Sequence, residues 1–436
     1  MSEAYPTIVA LSSAAGRAGV AVVRVSGPST RFVVETIAGS VPQPRMATLR
    51  SLRAPDGEAI DSALVLFFPA PHSFTGEDVA EFHVHGSRAV LARLLGVLAA
   101  LPGVRLAEPG EFTRRAFEAG KLDLAAVEGL ADLIDSETEW QRRQALRQME
   151  GALGEFATRW RDGLLRALTL LDAEIDFSDE ADVSGPLVDE AISSVAAVLD
   201  ELGSALAGFA MGERIRDGFV VVLAGPPNAG KSSLLNALAR RDVAIVSPVA
   251  GTTRDAIEVR LDLAGLPVIL VDTAGLRDSA DPIEAEGVRR ALALVARADL
   301  VLRLRAIDSD ADRIEAGDGR TVAIATKSDL GGQALAGELP VSVKTGEGLG
   351  DLLALLAERL GAGAGSEGAM LTRERHRAAV GAAVDALSRA VAARHGQAEL
   401  LAEDVRLAVL ALERLVGRID VEDVLDRIFA GFCIGK

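Results

Sequence analysis

The spacing of apolar residues separates segments that are typical of strands from segments that are typical of helices. Short apolar runs predict strands at residues 7–11, 20–25, 62–68 and 79–85, followed by a helix at 87–101. Within residues 79–85 apolar and polar positions alternate, which puts Glu81 and His83 on one face of the strand and Phe82 on the other. We therefore expect residues 1–118 to form an α+β domain.

Apolar residues at steps of three or four predict amphipathic helices on both sides of the centre of the chain. One stripe covers residues 146–175, and further stripes at 380–391 and 401–419 follow a Gly- and Ala-rich break at 361–369. These patterns predict an all-α helical domain in two parts, which we place at 119–216 and 361–436.

Between the two helical parts lie uninterrupted apolar runs that are typical of buried parallel strands. They occupy residues 219–224, 268–272 and 321–325, within a domain that we place at 217–360. The sequence therefore predicts a multidomain protein in which an α/β domain is inserted into a discontinuous all-α domain. The two ends of a domain often lie close together, which permits such an insertion.

Composition narrows the possible functions. The 436 residues carry a net charge of −17, which argues against a self-sufficient nucleic-acid-binding protein. If nucleic acid is a substrate, a local basic patch or a basic partner must contact its phosphates. The single cysteine, Cys433, excludes an internal disulfide and a Cys-based zinc site. We see neither a signal sequence nor an apolar run of about 18 residues, so we expect a cytoplasmic protein without a membrane span.

The strongest local signal is a phosphate-binding loop. The stretch Gly225-Pro-Pro-Asn-Ala-Gly-Lys-Ser232 fits G-x-x-x-x-G-K-[ST] and lies between the apolar run 219–224 and a predicted helix. At such a helix N-terminus, backbone N–H groups and the helix dipole point at a phosphate. We expect Lys231 to reach the outer phosphates and the Ser232 hydroxyl to bind Mg²⁺. The inserted domain is thus predicted to be a P-loop domain.

Further segments follow in the order that a GTP-binding domain requires. Thr253 offers a second hydroxyl to Mg²⁺, and Asp272 is expected to hold the metal through water. The Gly275 N–H would sense the γ-phosphate, and Asp329 can accept both guanine N–H donors. The predicted GTP-binding residues are Asn228, Ala229, Gly230, Lys231, Ser232, Ser233, Ser247, Pro248, Val249, Ala250, Gly251, Thr252, Thr253, Asp272, Thr273, Ala274, Gly275, Thr326, Lys327, Ser328, Asp329, Ser342, Val343 and Lys344.

One position departs from the usual guanine-binding pattern. Thr326 stands where Asn is usual, and the amide of Asn can both reach the base and brace the phosphate loop. The Thr hydroxyl is shorter, and the loss of one hydrogen bond would weaken binding by about 0.5–1.5 kcal/mol. We expect the preference for guanine to persist through Asp329, so that GTP binds more tightly than ATP.

Several motifs together resemble the MnmE (TrmE) family of tRNA-modification GTPases. They are the phosphate loop, Gly251-Thr-Thr-Arg-Asp255, Asp272-Thr-Ala-Gly-Leu-Arg277, Phe74-Thr-Gly-Glu-Asp78, Pro109-Gly-Glu-Phe-Thr113, Lys121-Leu-Asp-Leu124 and Phe432-Cys-Ile-Gly-Lys436. The resemblance covers the whole chain. It implies a GTP hydrolase that forms a homodimer and acts with an FAD-dependent partner, MnmG (GidA). The pair would add a carboxymethylaminomethyl-type group to carbon 5 of the wobble uridine of certain tRNAs.

The resemblance also implies roles for residues near the nucleotide. Asn228 would help to bind K⁺, and the other implied ligands of this ion are Ser247, Val249 and Thr252. The ion would stand where other GTPases place an arginine finger, a task for which Arg254 is an alternative. Glu284 matches the catalytic glutamate of the family and would orient the attacking water, with Lys231 as a further catalytic residue. The alternative for Glu284 is a solvated acid at a helix start, where acids are favoured.

For the N-terminal domain the resemblance implies a folate-binding site. The residues that match positions holding 5-formyl-tetrahydrofolate are Arg24, Glu81, Lys121 and Lys436. Glu81 can accept from the pterin amine, and the cations suit the folate carboxylates, although each is alternatively an ordinary surface charge. His83 and His85 beside Glu81 leave a metal site open as an alternative, which we do not favour. Cys433 is either a nucleophile or a buried thiol.

Two other functions fit parts of the sequence. One is a regulatory GTPase switch of the ribosome-assembly type, which modifies no RNA. Such proteins usually carry an RNA-binding module, and residues 361–436 show none. The other is a folate-dependent transferase that acts without the FAD-dependent partner. Turnover that ignores K⁺ would favour the first, and methylene transfer by the chain alone would favour the second.

Overall fold

The computed structural model describes residues 6–176, 186–241, 243–245, 257–272, 295–309, 319–362, 370–394 and 397–417, together with 419, 425–426, 428–429, 431–432 and 434–435. The chain divides into two units. Unit 1 comprises Met1–Ala131, Leu153–Arg159 and Leu412–Lys436, and unit 2 comprises Asp132–Ala152 and Trp160–Ala411. The predicted domain bounds, 1–118, 119–216, 217–360 and 361–436, stay predictions.

The elements are numbered in chain order over the described residues. The strands are β1 Thr7–Leu11, β2 Ala18–Ser26, β3 Thr48–Arg53, β4 Ala59–Phe68, β5 Val79–Gly86, β6 Val104–Leu106, β7 Phe219–Ala224, β8 Ile257–Leu263, β9 Leu266–Asp272, β10 Leu300–Ala306, β11 Thr321–Thr326 and β12 Glu338–Val341. The helices are α1 Thr30–Ala38, α2 Arg88–Ala99, α3 Glu111–Glu118, α4 Leu124–Asp135, α5 Glu139–Met149, α6 Ala152–Asp176, α7 Pro186–Ala207, α8 Phe209–Asp217, α9 Lys231–Ala239, α10 Leu349–Gly361, α11 Glu374–Ala392 and α12 Ala398–Leu415.

Unit 1 is built on a sheet in the order β3-β4-β5-β2-β1-β6, antiparallel except for the parallel pair of β1 and β6. The alternation along β5 buries Phe82 in a core with α1 and α2, whereas Glu81 and His83 are half-buried on the other face. Arg24 lies directly across from Glu81 in the register of β2 on β5. The predicted α+β pattern is confirmed, although some ends shift; β4, for example, begins at Ala59.

Unit 2 contains a sheet in the order β12-β11-β10-β7-β9-β8, parallel except that β8 runs antiparallel to β9. Apolar side chains of its strands pack with α9 and α10 in one core, among them Leu223, Leu270 and Leu302. The three apolar runs predicted to be parallel strands are β7, β9 and β11. Because the carboxyl ends of parallel strands meet at one edge, that edge is the expected ligand site.

The helical region differs from the prediction at one point. The apolar stripe at 146–175 predicts one amphipathic helix, but α5 ends at Met149 and α6 begins at Ala152. Gly151 between them has φ +91°, a conformation that glycine adopts readily and that ends a helix. Elsewhere in unit 2, α7 packs against α11, and both bury apolar side chains such as Val195 and Val380. Residues 363–369 of the predicted break lie outside the described ranges.

One described helical segment, Leu187–Asp217, is long and apolar enough to cross a bilayer by length and composition alone. It includes α7 and α8, and 33% of its most apolar window is buried. Core helices meet the same criteria, so this segment is weak support for a membrane span.

Candidate functional site

The phosphate-binding motif forms the turn between β7 and α9. Gly225 directly follows β7 with φ +151°, and a Cβ added there would lie 2.4 Å from the Leu304 carbonyl oxygen. Asn228 and Gly230 both adopt left-handed conformations, with φ +62° and +88°. The loop then ends where α9 begins at Lys231. Its backbone therefore leads into a helix N-terminus, which favours a phosphate.

Two side chains of this motif are held by contacts at the carboxyl edge of the sheet. The buried Lys231 ammonium donates to the carbonyl oxygens of Gly225 and Pro226, at 2.8 and 2.9 Å. The Ser232 hydroxyl donates to a carboxylate oxygen of Asp272, at 2.7 Å, where β9 ends. Hydroxyl and carboxylate oxygens are ligands that Mg²⁺ prefers, so this pair fits the predicted magnesium site.

The predicted base-binding segments meet at the same edge. Thr326 ends β11, and its hydroxyl donates to the Ala229 carbonyl oxygen of the phosphate loop at 2.7 Å. Asp329 accepts a hydrogen bond of 2.7 Å from the buried Ser342 hydroxyl. The exposed Lys344 ammonium lies 3.9 Å from the other oxygen of Asp329. The carboxylate is therefore held by Ser342 and Lys344, which are themselves among the predicted GTP-binding residues.

The other predicted nucleotide-site residues are less constrained or fall outside the described residues. Lys327 has φ +60° and pairs with Asp308 at 3.4 Å, and Ser328 donates to Glu347 at 3.1 Å. Asn228 is exposed. The residues outside the described ranges are Ser247, Pro248, Val249, Ala250, Gly251, Thr252, Thr253, Arg254, Thr273, Ala274, Gly275 and Glu284. The roles assigned to them, those of the K⁺ ligands included, stay predictions.

Sequence reasoning missed a buried ion pair beside this edge. Arg305 in β10 donates two hydrogen bonds to Glu338 in β12, at 2.9 and 2.6 Å, and their side chains are 5% and 2% exposed. The hydrogen bonds to Glu338 raise the pKa of Arg305. The signal was present in the sequence, because β10 is otherwise apolar at its buried positions. A charge in such a strand indicates a buried partner.

The candidate folate site lies in unit 1, on β2 and β5. Arg24 Nε donates to Glu81 at 3.0 Å, and His83 Nε2 lies 3.3 Å from the second Glu81 oxygen. The Arg24 guanidinium also lies over the rings of Phe74 and Phe112, 5.6 and 5.7 Å from their centroids. These rings belong to two of the motifs that carry the family resemblance. The structure thus brings both motifs to the Arg24–Glu81 pair.

Lys121 is exposed and lies beside the loop that carries Phe74. A Cβ added to Gly76 of that loop would be 3.6 Å from Lys121 Cε. Among the residues that the structure describes, no group of three or more His, Cys, Asp or Glu side chains could hold a metal ion. His85 instead bonds Asp61 at 2.8 Å.

The C-terminal tail lies along β1 in the same unit. The Ser12 hydroxyl donates to the Gly435 carbonyl oxygen at 2.8 Å, and a Cβ added to Gly435 would be 2.0 Å from the Leu11 carbonyl oxygen. Since Ala10 pairs with Arg24, the tail runs close to the strand position opposite Arg24. Lys436 and Cys433 lie outside the described residues, so their predicted roles stay predictions.

A chain of charged side chains, of which Arg115 and Glu111 are buried, supports the loop that carries Phe74. Arg115 in α3 donates to Glu111 at 2.7 Å and to Glu77 at 3.0 Å. Glu111 also accepts two hydrogen bonds from Arg105, at 2.7 and 2.6 Å. Burial raises the pKa of the Glu111 carboxyl, but hydrogen bonds from both arginines and a backbone N–H outweigh burial and hold this pKa below its ordinary value. Glu77 and Glu111 lie in the motifs 74–78 and 109–113, and the sequence alone did not predict that Arg115 would connect them.

The strand order of unit 2, the phosphate loop before α9 and the Ser232–Asp272 contact define a P-loop GTPase domain within a multidomain chain. Comparison with known proteins gives its family. The family model described as "MnmE helical domain" matches residues 124–433, and the one described as "GTP-binding protein TrmE N-terminus" matches residues 7–121. The chain belongs to the MnmE family of tRNA modification GTPases.

Full-length relatives agree with this assignment. The tRNA modification GTPase MnmE of Methylobacterium sp. (strain 4-46) is 55% identical, with 99% of each chain covered. The protein of the same name from Parvibaculum lavamentivorans is 53% identical, covering 99% of this chain and 100% of its own length. Among solved structures, the G domain of the T. maritima FeoB iron transporter covers 32% of this chain and 98% of its own, at 25% identity and a TM-score of 0.24. The family assignment does not depend on that weak similarity.

Proposed function

We propose that this chain hydrolyses GTP to drive the modification of tRNA in the cytoplasm. A homodimer acts with the FAD-dependent partner MnmG (GidA) to add a carboxymethylaminomethyl-type group to carbon 5 of the wobble uridine. Hydrolysis is stimulated by K⁺ and is coupled to dimerisation of the P-loop domains. Family membership supports the GTPase activity and the tRNA substrate. The resemblance of motifs supports the finer steps.

The observation that carries the GTPase part is the contact of Ser232 with Asp272 beside Lys231. The Ser232 and Thr253 hydroxyls would bind Mg²⁺ directly, and Asp272 would hold the ion through water. When bound, this ion neutralises charge on the β- and γ-phosphates. Lys231 lies at the first residue of α9 and would contact the same phosphates. Glu284 would orient the water that attacks the γ-phosphate.

The potassium part of the proposal rests on Asn228. Asn228 is exposed and has a left-handed backbone conformation, two residues before Gly230 in the phosphate loop. Asn228, with Ser247, Val249 and Thr252, would hold the ion. A cation there counters the negative charge that develops on the phosphates during transfer to water.

The test compares GTP turnover in KCl with turnover in NaCl at equal ionic strength. We expect the wild-type protein to turn over faster in KCl, and Asn228→Ala to remove the difference while GDP binding persists. Asn236→Ala is the matched control, because Asn236 is an exposed residue of α9 outside the loop. Equal turnover of the wild-type protein in both salts would contradict the proposal and favour a regulatory switch.

We also propose that the Arg24–Glu81 pair binds 5-formyl-tetrahydrofolate or a related folate, which supplies the one-carbon unit. Glu81 is held by Arg24 and His83, so its oxygens have fixed directions for the pterin amine. Lys121 and Lys436 are the cations proposed to bind the folate carboxylates. The rings of Phe74 and Phe112 add apolar surface beside the pair, which fits a flat heterocycle.

A further inference from the structure

The contact made by Thr326 leads to an inference about how the nucleotide is selected. We propose that Thr326 braces the phosphate loop and does not read the base, so that selection of guanine rests on Asp329. The two tasks that an Asn performs at this position are thereby separated in this chain. The inference rests on the proposed binding of guanine nucleotides and specifies which residue supplies which part of it.

The direction of the Thr326 hydroxyl hydrogen follows from two distances. Thr326 Oγ1 lies 2.7 Å from the Ala229 carbonyl oxygen and 3.3 Å from the Arg305 carbonyl oxygen, so the shorter bond goes to Ala229. The side chain is buried, with 3% of the residue exposed. A hydroxyl has one hydrogen to donate, whereas an Asn amide has two. Once Thr326 has donated to the loop, it has no hydrogen left for a base.

The bond to Ala229 acts on the part of the loop that needs support. Ala229 lies between Asn228 and Gly230, which both have left-handed backbones. Such a conformation is uncommon for a residue with a Cβ and persists where surrounding contacts hold it. Thr326 supplies one of these contacts from β11. It therefore helps to fix the backbone N–H groups that lead into α9, which are the groups that face a phosphate.

The brace is anchored on its other side by the ion pair of Arg305 and Glu338. The strands that carry these residues, β10 and β12, flank β11 on its two sides. The guanidinium makes two parallel hydrogen bonds to the carboxylate, an arrangement that fixes geometry as well as charge. The Arg305 carbonyl that neighbours Thr326 therefore belongs to a rigid strand end. Thr326 is held between this strand end and the phosphate loop.

Asp329 is positioned by different contacts. One of its carboxylate oxygens accepts from Ser342, whose backbone is held in turn by bonds to Glu347 and Gly346. A carboxylate has about four acceptor positions, so this bond leaves positions for the two N–H donors of guanine. Within the described part of the chain, the side-chain hydrogen bond and the ion pair of Asp329 go to Ser342 and Lys344, and not to Thr326. The base and the phosphate loop are thus served by separate side chains.

The test measures the dissociation constants of GDP and 7-deaza-GDP for the wild-type protein, Thr326→Val and Thr326→Ser. 7-Deaza-GDP has the same phosphates and exocyclic amine as GDP and lacks the N7 acceptor, a base group that a hydroxyl or amide donor can bind. We expect Thr326→Val to weaken both nucleotides by the same factor, about 3- to 10-fold for one neutral hydrogen bond. The ratio of the two constants should stay at the wild-type value. Thr326→Ser keeps the hydroxyl and should restore both affinities.

Two results would overturn the inference. A changed ratio in Thr326→Val would mean that the hydroxyl reads the base, and unchanged affinities for both nucleotides would mean that it does not brace the loop. Thr326→Asn gives a second line of evidence should the Val variant fail to fold. Its extra donor should favour GDP over 7-deaza-GDP, and an unchanged ratio would count against the proposed division of tasks. A wild-type protein that binds neither nucleotide would instead refute the proposed function, and the inference with it.

Discussion

The two candidate sites of this protein are built in different ways. In unit 2, Asp272 ends the parallel strand β9, and Lys231 and Ser232 are the first residues of α9, directly after the phosphate loop. In unit 1, Arg24 and Glu81 face each other across the middle of two antiparallel strands. The first site depends on the conformation of a loop, and the second depends on the register of a sheet.

This difference decides which changes each site tolerates. A slip of one residue between β2 and β5 would move Arg24 and Glu81 to opposite faces of the sheet and remove the pair. The nucleotide site can be lost without any change of register. Left-handed residues of its loop, such as Asn228, are held by local contacts, and loss of those contacts would change the loop. Buried ion pairs lie beside both sites: Arg305 with Glu338 in unit 2, and Arg115 with Glu111 in unit 1.

The largest effect is expected where the buried pair beside the nucleotide site is broken. Arg305→Leu leaves the Glu338 carboxylate buried without its cation, and we expect a loss of about 3–5 kcal/mol in the free energy of unfolding. Urea unfolding followed by tryptophan fluorescence measures this loss, since both tryptophans, Trp140 and Trp160, belong to unit 2. Replacing both members of the pair by Leu should recover most of the stability.

Arg303→Leu is the matched control for this prediction. Arg303 lies two residues earlier in β10 and is exposed, so its replacement should change the free energy of unfolding by no more than about 0.5 kcal/mol. Equal losses for Arg303→Leu and Arg305→Leu would mean that the ion pair adds nothing to the nucleotide-site edge. The nucleotide site would then not depend on the buried pair of Arg305 and Glu338.

The same difference explains how much of each site the sequence could predict. The phosphate loop is contiguous from Gly225 to Ser232, so one local motif predicts its position between a strand and a helix. Arg24 and Glu81 are 57 positions apart, and only the resemblance to a family linked them. No turn joins β2 to β5, since β3 and β4 lie between them in the chain, so turn geometry could not indicate their register.

Other features were beyond local reasoning for physical reasons. The spacing of apolar residues continues across Gly151, so the pattern predicted one helix where there are two. The direction of the Thr326 hydroxyl depends on the Ala229 carbonyl, which is 97 positions away. Arg305 was a different case, because a charge among apolar strand residues could have indicated a buried partner.

A smaller effect is expected at the Arg24–Glu81 pair, the site that depends on the register of β2 and β5. Glu81→Gln removes the negative charge while keeping the shape, so a pterin amine loses a charge-assisted hydrogen bond. We expect 5-formyl-tetrahydrofolate to bind more weakly by about 1.5–3 kcal/mol, which is about 10- to 150-fold, as measured by calorimetric titration. Glu118→Gln, an exposed residue of α3, is the control and should bind as the wild-type protein does. Unchanged affinity in Glu81→Gln would place the folate elsewhere.

The smallest effect is expected at Glu111 in unit 1. Through Arg115 it is connected to Glu77, in the loop that carries Phe74. Because the folded state lowers the pKa of Glu111 below its ordinary value of 4.5, its stabilising effect is present above that value and is lost as the pH falls through the folded pKa. We expect Glu111→Gln to lower stability by about 1–3 kcal/mol near neutral pH, since charged hydrogen bonds are lost. Below the folded pKa the difference should shrink, because a protonated Glu resembles Gln.

Hydrogen–deuterium exchange of the amides of β6 and α3 measures this local effect at neutral and acidic pH. Glu118→Gln is the control, because Glu118 is an exposed residue at the end of α3. A difference between wild type and Glu111→Gln that stays constant with pH would mean that packing, and not charge, carries the contribution of Glu111. Packing of the Glu111 side chain would then support the Arg24–Glu81 site in unit 1, whereas the nucleotide site in unit 2 would still depend on the buried ion pair of Arg305 and Glu338.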